Sequence, residues 1–241
     1  MEIKILKNKI AVAENFATFL KKLIEDNKQL HVALSGGSTP KIIFDHIAEN
    51  FGHIDWSKVY LYWGDERCVP PTDNESNYKM TFDHLISKIN IPKENIFRVL
   101  GEDNPVKEAK RYALVLEKNL VKENKVPQFD LVILGMGDDG HTASIFPHEM
   151  HLWNANENCV VATHPESGQK RISITGKIIN NAKQVGFLVT GGNKAEKVEE
   201  IFNNKASIKK YPAALVKPLT GNLLWFLDED AAQDIYPAIK K

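Results

Sequence analysis

Residues 129–147 constrain the fold more than any other part of the chain. They read FDLVILGMGDDGHTASIFP, an apolar run followed by a glycine-rich turn with two carboxylates and a histidine. A continuous apolar run predicts a strand that is buried on both faces of a sheet. Because open α/β sheets bind ligands at the carboxyl ends of their strands, we expect chemistry directly after this strand.

His141 is the candidate catalytic residue of this turn. It follows Asp138, Asp139 and Gly140, so a carboxylate is available to orient its ring. A lone histidine is more often structural than catalytic, but turn residues on a rigid scaffold are disproportionately functional. We therefore expect a functional imidazole that Asp139, or as the alternative Asp138, orients.

Apolar runs alternate with amphipathic stretches along the whole chain. The runs at residues 30–35, 58–63, 129–134, 185–190 and 223–227 predict strands. Helical spacing predicts helices over residues 10–27, 40–50, 76–89, 105–123 and 193–203. This alternation is typical of an α/β fold, a doubly wound and mainly parallel sheet with helices on both faces in the Rossmann-like manner. Residues 160–175 are interpreted as two strands that flank a loop at residues 165–169.

The composition is that of a neutral, cysteine-poor chain. The 31 basic residues balance 31 acidic ones among 241 residues, so there is no electrostatic footprint for nucleic acid. Cys68 and Cys159 lack metal-ligand spacing, and a reducing cytoplasm fits two separated cysteines. The N-terminus is too polar for a signal peptide, and no apolar run could span a bilayer. We expect one cytoplasmic domain over residues 1–241 without nucleic-acid or membrane partners.

The segment LSGGSTP at residues 34–40 predicts an anion site at the end of a second strand. Gly36 and Gly37 allow positive φ and a close approach of the backbone to a ligand. Ser38 and Thr39 can cap the next helix or donate to a phosphate, toward which the free amides of its first turn also point. An ordinary capped turn is the alternative, but paired glycines exceed what a cap requires.

Charged residues also follow the strand predicted at residues 58–63. Arg67 can hold a phosphate or stabilise an oxyanion. Asp65 or Glu66 can accept hydrogen bonds from sugar hydroxyls or transfer protons. A surface cluster of ion pairs is the alternative interpretation of these charges.

Two more cations, Arg171 and Lys194, are candidate anion ligands. Arg171 begins an apolar strand, and Lys194 begins a helix after a Gly-Gly turn. Each could be an ordinary surface cation. Their recurrence beside glycine turns favours a role in anion binding. The cluster of His141, His148 and His151 lacks a zinc-binding pattern, so we expect no metal.

These segments, in this order, resemble the 6-phosphogluconolactonase family, within the superfamily that also holds glucosamine-6-phosphate deaminases. The resemblance runs over SGGSTP at 35–40, WGDER at 63–67, SNYKM at 76–80 and GMGDDGHTASIFP at 135–147, with further matches at 171–175, 191–195 and 211–216. It implies a NagB/RpiA-type fold and hydrolysis of 6-phospho-D-glucono-1,5-lactone in the oxidative pentose phosphate pathway. It also implies that no metal or organic cofactor takes part.

The resemblance further implies roles for individual residues. The substrate phosphate would be bound by the glycine turn together with Ser38, Thr39, Arg171 and Lys194. The lactone would be surrounded by Asp65, Arg67 and His141. Chemically, His141 would remove a proton from the attacking water, Asp139 would orient its ring, and Arg67 would stabilise the oxyanion.

Two alternatives to the lactonase remain. A deaminase or isomerase of amino sugar phosphates would carry a glutamate where this chain has Phe146, and deaminases tend to have an aromatic residue in place of Arg67. A non-catalytic sugar-phosphate-binding module would usually bring a DNA-binding segment, for which the chain has no basic arm. The sequence allows either a monomer or a homodimer.

Overall fold

The computed structural model describes residues 1–235, in which strands and helices alternate. The strands are β1 (Glu2–Leu6), β2 (Leu30–Leu34), β3 (Val59–Trp63), β4 (Asp65–Arg67), β5 (Ile96–Phe97), β6 (Lys122–Glu123), β7 (Val126–Pro127), β8 (Leu131–Leu134), β9 (Cys159–Thr163), β10 (Lys170–Ile174), β11 (Gln184–Val189) and β12 (Leu223–Asp228). The α-helices are α1 (Lys9–Asp26), α2 (Ser38–Phe51), α3 (Asn77–His84), α4 (Pro105–Asn119), α5 (Gly176–Asn181) and α6 (Ala195–Phe202). All five predicted strands are present, with ends displaced by two residues or fewer.

Seven strands form one parallel sheet in the order β1-β12-β11-β8-β2-β3-β5. From β2 the chain extends the sheet outward through β3 and β5. It then returns to place β8 on the other side of β2 and continues through β11 and β12. The winding direction therefore reverses between β2 and β8, and doubly wound sheets bind ligands in the crevice at such a reversal.

Helices cover both faces of this sheet. Adjacent residues of a strand point to opposite faces, and β12 illustrates this with two buried aromatic residues. Phe226 packs against Phe16 of α1 with ring centroids 5.3 Å apart, whereas Trp225 packs against Phe202 of α6 at 5.2 Å. The predicted doubly wound α/β fold is confirmed.

A second, antiparallel sheet contains β4, β10 and β9 in that order. Pairing of β9 with β10 confirms the two strands interpreted within residues 160–175. On its other side β10 pairs with β4, which sets Arg171 opposite Arg67 and Ser173 opposite Asp65. The charged residues after β3 thus form a strand of their own. The sequence predicted neither this strand nor its pairing with β10.

Some predicted boundaries are wrong for local reasons. The helix predicted over residues 105–123 ends at Asn119, because Leu120 is extended and β6 and β7 form a hairpin. Asn124 and Lys125 take positive φ in its two-residue turn, as such turns require. The helix predicted over residues 76–89 ends at His84, and β1 was not predicted at all.

Across residues 1–235, no helix combines the length and the apolar character needed to cross a membrane.

Candidate active site

A cavity of about 170 Å³ lies at the reversal between β2 and β8. Two glycine turns that follow these strands form part of its wall: Ser35, Gly36, Gly37, Gly135, Met136 and Gly137. Four predicted site residues outside these turns also line it: Asp65, Arg67, His141 and Arg171. Residues that are far apart in sequence thus meet where the topology of the sheet predicts a ligand.

The other predicted phosphate ligands line an adjoining cavity of about 270 Å³. Ser38, Thr39 and Lys194 lie there, and Gly36 and Gly37 line both cavities. The sequence grouped Arg171 with Lys194, whereas the structure puts them in different cavities that share residues of both glycine turns, Gly36, Gly37, Gly135 and Met136. The Gly36–Gly37 turn thus borders one cavity lined by Arg171 and another lined by Lys194.

His141 is held by Asp139. The ring Nδ1 lies 2.7 Å from Asp139 Oδ1, and the same oxygen accepts from the His141 backbone N–H at 3.0 Å. Burial disfavours ionisation of Asp139, but these hydrogen bonds outweigh it and lower the pKa of Asp139 to about 2. An ionised acceptor keeps a proton on Nδ1, which leaves Nε2 with its lone pair for water or substrate.

The turn that carries His141 needs a glycine at position 137. Gly137 N–H donates to the His141 carbonyl at 2.9 Å, which closes the turn. A Cβ added to Gly137 would lie 2.1 Å from His141 Nδ1, closer than real Cβ contacts. The glycine therefore lets the backbone and the imidazole pack directly against each other.

Asp138 has a different partner from Asp139, although the sequence could not distinguish the two. It accepts a hydrogen bond from Asn193 Nδ2 at 2.9 Å and forms an ion pair with Lys194. The Lys194 ammonium lowers the pKa of Asp138 through this contact. Asp139 is thus the ring partner, and Asp138 neutralises a predicted phosphate ligand.

Arg67 and Arg171 face each other across β4 and β10. Burial lowers the pKa of Arg171, and the positive charge of Arg67 lowers it further. The Arg171 guanidinium also lies 5.5 Å from the centre of the Phe146 ring, and Arg67 Nε is buried without a hydrogen-bond partner among residues 1–235. Like charges opposite each other are unfavourable, so the pair favours binding of an anion.

The structure assigns different surroundings to Asp65 and Glu66. Asp65 lines the cavity, whereas Glu66 is buried and accepts from Arg67 N–H, Asn77 N–H, Tyr78 N–H and Ser76 Oγ–H. Burial raises the pKa of Glu66 although the three backbone hydrogen bonds oppose the shift. Glu66 therefore ties the start of α3 to β4, and Asp65 is the carboxylate available to a ligand.

Sequence reasoning missed two buried residues of the site. Asn77 lines the cavity and donates from Nδ2 to the Asp65 carbonyl at 2.9 Å. Ser144 Oγ–H donates to the Asp65 carboxylate at 2.6 Å. Both fall inside the segments that carry the family resemblance, but neither residue type alone signals a site.

The histidines near the site do not form a metal centre. His148 lies beside the Phe146 ring at 5.9 Å, and Glu149 accepts a hydrogen bond from Thr163 N–H. Within the described part of the chain, no group of three or more histidine, cysteine, aspartate or glutamate side chains is arranged to bind a metal ion.

Comparison with known proteins finds close relatives. A 6-phosphogluconolactonase of Treponema pallidum is 44% identical over 205 residues, which cover 85% of each chain. A 6-phosphogluconolactonase of Haemophilus influenzae is 46% identical over 213 residues, which cover 86% of this chain and 88% of its own. A crystal structure of devB protein matches with a TM-score of 0.93 at 43% identity, over 97% of this chain and 99% of the other.

The family model described as glucosamine-6-phosphate isomerases/6-phosphogluconolactonase matches residues 8–225. This range contains both glycine turns, the arginine pair and the His141–Asp139 pair. The chain belongs to the glucosamine-6-phosphate isomerase/6-phosphogluconolactonase family.

Proposed function

We propose that this protein is an enzyme that hydrolyses 6-phospho-D-glucono-1,5-lactone to 6-phospho-D-gluconate. The observation that carries the proposal is the His141 imidazole, hydrogen-bonded to ionised Asp139 in a cavity that also holds Arg67 and Arg171. Relatives that are named for this activity and are 44% and 46% identical support it.

The reaction is hydrolysis of an ester. His141 Nε2 accepts a proton from water as the water oxygen attacks the lactone carbonyl carbon. Arg67 stabilises the negative charge that develops on the carbonyl oxygen. The bond to the ring oxygen then breaks, and protonated His141 donates its proton to that oxygen, which becomes a hydroxyl. Asp139 stabilises the imidazolium between the two proton transfers.

The phosphate takes no part in the bond changes and serves to position the lactone. It binds at the Gly36–Gly37 turn, with Ser38, Thr39 and Lys194 in one cavity and Arg171 in the other. The first amides of α2 add donors at the same place. Lys194 exchanges its ion pair with Asp138 for the phosphate. Such positioning can supply several kcal/mol of the barrier reduction, about 7–11 in the best cases.

Phe146 argues against the alternative deaminase. Phe146 as a residue is 1% exposed, and its ring packs against His141 at a centroid distance of 4.7 Å. A hydrocarbon ring cannot transfer a proton, so the carboxylate chemistry of a deaminase has no group at this position. A sugar-phosphate sensor would share the binding residues, and it would have no need of the His141–Asp139 pair.

The test is hydrolysis of freshly prepared lactone, followed by NMR with and without protein because the lactone also hydrolyses spontaneously. We expect the protein to accelerate the reaction and His141→Ala to reduce kcat by about 10²–10⁴-fold while it still binds 6-phosphogluconate. Ammonia release from glucosamine 6-phosphate would favour the deaminase. Binding of 6-phosphogluconate without any acceleration would favour the sensor.

The proposal also covers the organisation of the protein. We propose one domain over residues 1–241, of which residues 236–241 lie outside the described part, and a location in the cytoplasm. The proposed chemistry uses side chains alone, so dialysis against a metal chelator should leave kcat unchanged. Sedimentation at several concentrations would distinguish a monomer from a homodimer.

A further inference from the structure

Asp65 has one carboxylate oxygen satisfied and one free. Its Oδ2 accepts a hydrogen bond from Ser144 Oγ–H at 2.6 Å. Its Oδ1 accepts no hydrogen bond within residues 1–235. It is also not one of the fully buried side-chain atoms that lack a partner there. Because Asp65 lines the cavity although the residue is only 6% exposed, Oδ1 is the atom that a ligand can reach.

Ser144 is itself fixed by its surroundings. The preceding residue, Ala143, has a φ of 48°, and Ile145 N–H donates to the Thr142 carbonyl at 3.0 Å, which makes a tight turn. Ser144 N–H donates to Ser173 Oγ at 3.2 Å, and Ser173 lies opposite Asp65 in the β4–β10 pair. Ser144 is fully buried, so water does not compete for its hydroxyl.

A non-glycine residue at positive φ is uncommon and costs conformational energy. Ala143 adopts this conformation directly before Ser144, whose hydroxyl donates to the Asp65 carboxylate 79 residues earlier in the chain. Hydrogen bonds to an ionised acceptor are about twice as strong as neutral ones. The turn therefore fixes the direction of the Asp65 carboxylate more tightly than a solvated side chain would be fixed.

We propose that Ser144 is a positioning residue that holds the Asp65 carboxylate with Oδ1 directed into the cavity, where Oδ1 accepts a hydrogen bond from a hydroxyl of the sugar ring. The inference rests on the proposed function, since it takes the sugar lactone as the ligand. A carboxylate accepts from hydroxyls and offers nothing favourable to a carbonyl oxygen. Asp65 thereby contributes to selection of a polyhydroxylated lactone.

The proposal predicts a particular kinetic signature. A hydrogen bond to a hydroxyl that does not react is the same in the ground state and the transition state. Its loss raises KM and leaves kcat nearly unchanged. For Ser144→Ala we expect KM and the Kd of 6-phosphogluconate to rise about tenfold, with kcat within about twofold of the parent.

A double-mutant cycle separates positioning from a general effect on folding. Ser144→Ala should raise KM less than about twofold when it is made in an Asp65→Ala background, because the side chain that it positions is gone. Thr175→Val is the matched control: it removes another buried hydroxyl, which donates to the Glu157 carbonyl away from the cavity. It should lower stability to urea and leave KM unchanged.

Several results would overturn the proposal. The first is an unchanged KM in folded Ser144→Ala. The second is an equal rise of KM when Ser144→Ala is made in the parent and in the Asp65 variant. The third is a rise of KM in Thr175→Val as large as that in Ser144→Ala. If Ser144→Ala does not fold, Ser144→Cys keeps a similar volume with a weaker donor and should raise KM in the same direction. Failure of the parent protein to hydrolyse the lactone would instead refute the proposed function, and direct binding of 6-phosphogluconate would still test Ser144.

Discussion

Replacement of Asp139 by asparagine tests the proposed chemistry most directly. Asp139 Oδ1 accepts two hydrogen bonds from His141, one from the ring at 2.7 Å and one from the backbone at 3.0 Å. Asparagine has nearly the same shape and can keep both contacts, but it lacks the charge that stabilises the imidazolium. Asp139→Asn therefore isolates the electrostatic contribution of this contact.

The expected loss follows from the strength of the ring contact. A hydrogen bond to a charged acceptor contributes about 1.5–3 kcal/mol and a neutral one about 0.5–1.5, so neutralisation costs about 1–1.5 kcal/mol. At about 1.4 kcal/mol for a factor of ten, kcat falls about 5- to 12-fold. If the asparagine amide donates to Nδ1 instead, the proton moves to Nε2 and the base is lost, so the loss approaches the full 10²–10⁴ of general base catalysis.

Asp138→Asn is the matched control because it makes the same change one residue earlier. Asp138 contacts Lys194 and Asn193 rather than His141, and its side chain is 66% exposed. We expect kcat within about twofold of the parent, and binding of 6-phosphogluconate about two- to fivefold tighter because an exposed ion pair no longer competes for Lys194. The assay is initial-rate hydrolysis with the spontaneous rate subtracted, together with calorimetric titration of 6-phosphogluconate. Equal losses of kcat in the two variants, or an Asp139→Asn variant that keeps more than half of kcat, would refute the assignment.

Three further predictions concern affinity and stability. Arg171→Gln and Lys194→Met should each weaken 6-phosphogluconate binding about tenfold or more in calorimetric titration, and parental affinity in both variants would reject the phosphate site. Glu66→Gln should lower the free energy of unfolding in urea by about 2–4 kcal/mol, because an amide cannot accept all four hydrogen bonds; a loss below about 1 kcal/mol would contradict this. The pKa of Asp139 falls from 3.8 to about 2 on folding, so its contribution to stability is present above pH 3.8 and is lost as the pH falls through 2. Its side chain is 41% exposed and screened, so this contribution is about 1 kcal/mol, and acid unfolding of Asp139→Asn should lack it.

The sequence predicted the parallel sheet, and it predicted the contact between His141 and Asp139. Apolar runs located the five central strands, since a strand buried on both faces must be apolar along its length. The spacing of Asp139 and His141 was also informative, because residues two apart in a turn can contact each other without help from the rest of the fold. β1 was missed because its alternation of charged and aliphatic residues is short and lies at the edge of the sheet.

The roles of individual carboxylates could not be predicted from the sequence. Asp138 and Asp139 are adjacent and chemically identical, and only the position of Lys194 and the turn at Gly137 distinguish them. Asp65 and Glu66 are also adjacent carboxylates whose surroundings only the structure distinguishes. One faces the cavity and the other is enclosed by the start of α3, because successive residues of a strand point to opposite sides.

The amino-acid sequence by itself determined the class of fold, the two glycine turns and several of the side chains that line the cavity. These follow from interactions between residues a few positions apart, which hydrophobic periodicity and turn chemistry report directly. Only the tertiary structure decided that β2 and β8 are neighbours, that Arg67 faces Arg171, and that Ser144 reaches Asp65. Pairings of this kind depend on packing between distant segments, and a local pattern contains no information about which partner a buried polar group will meet.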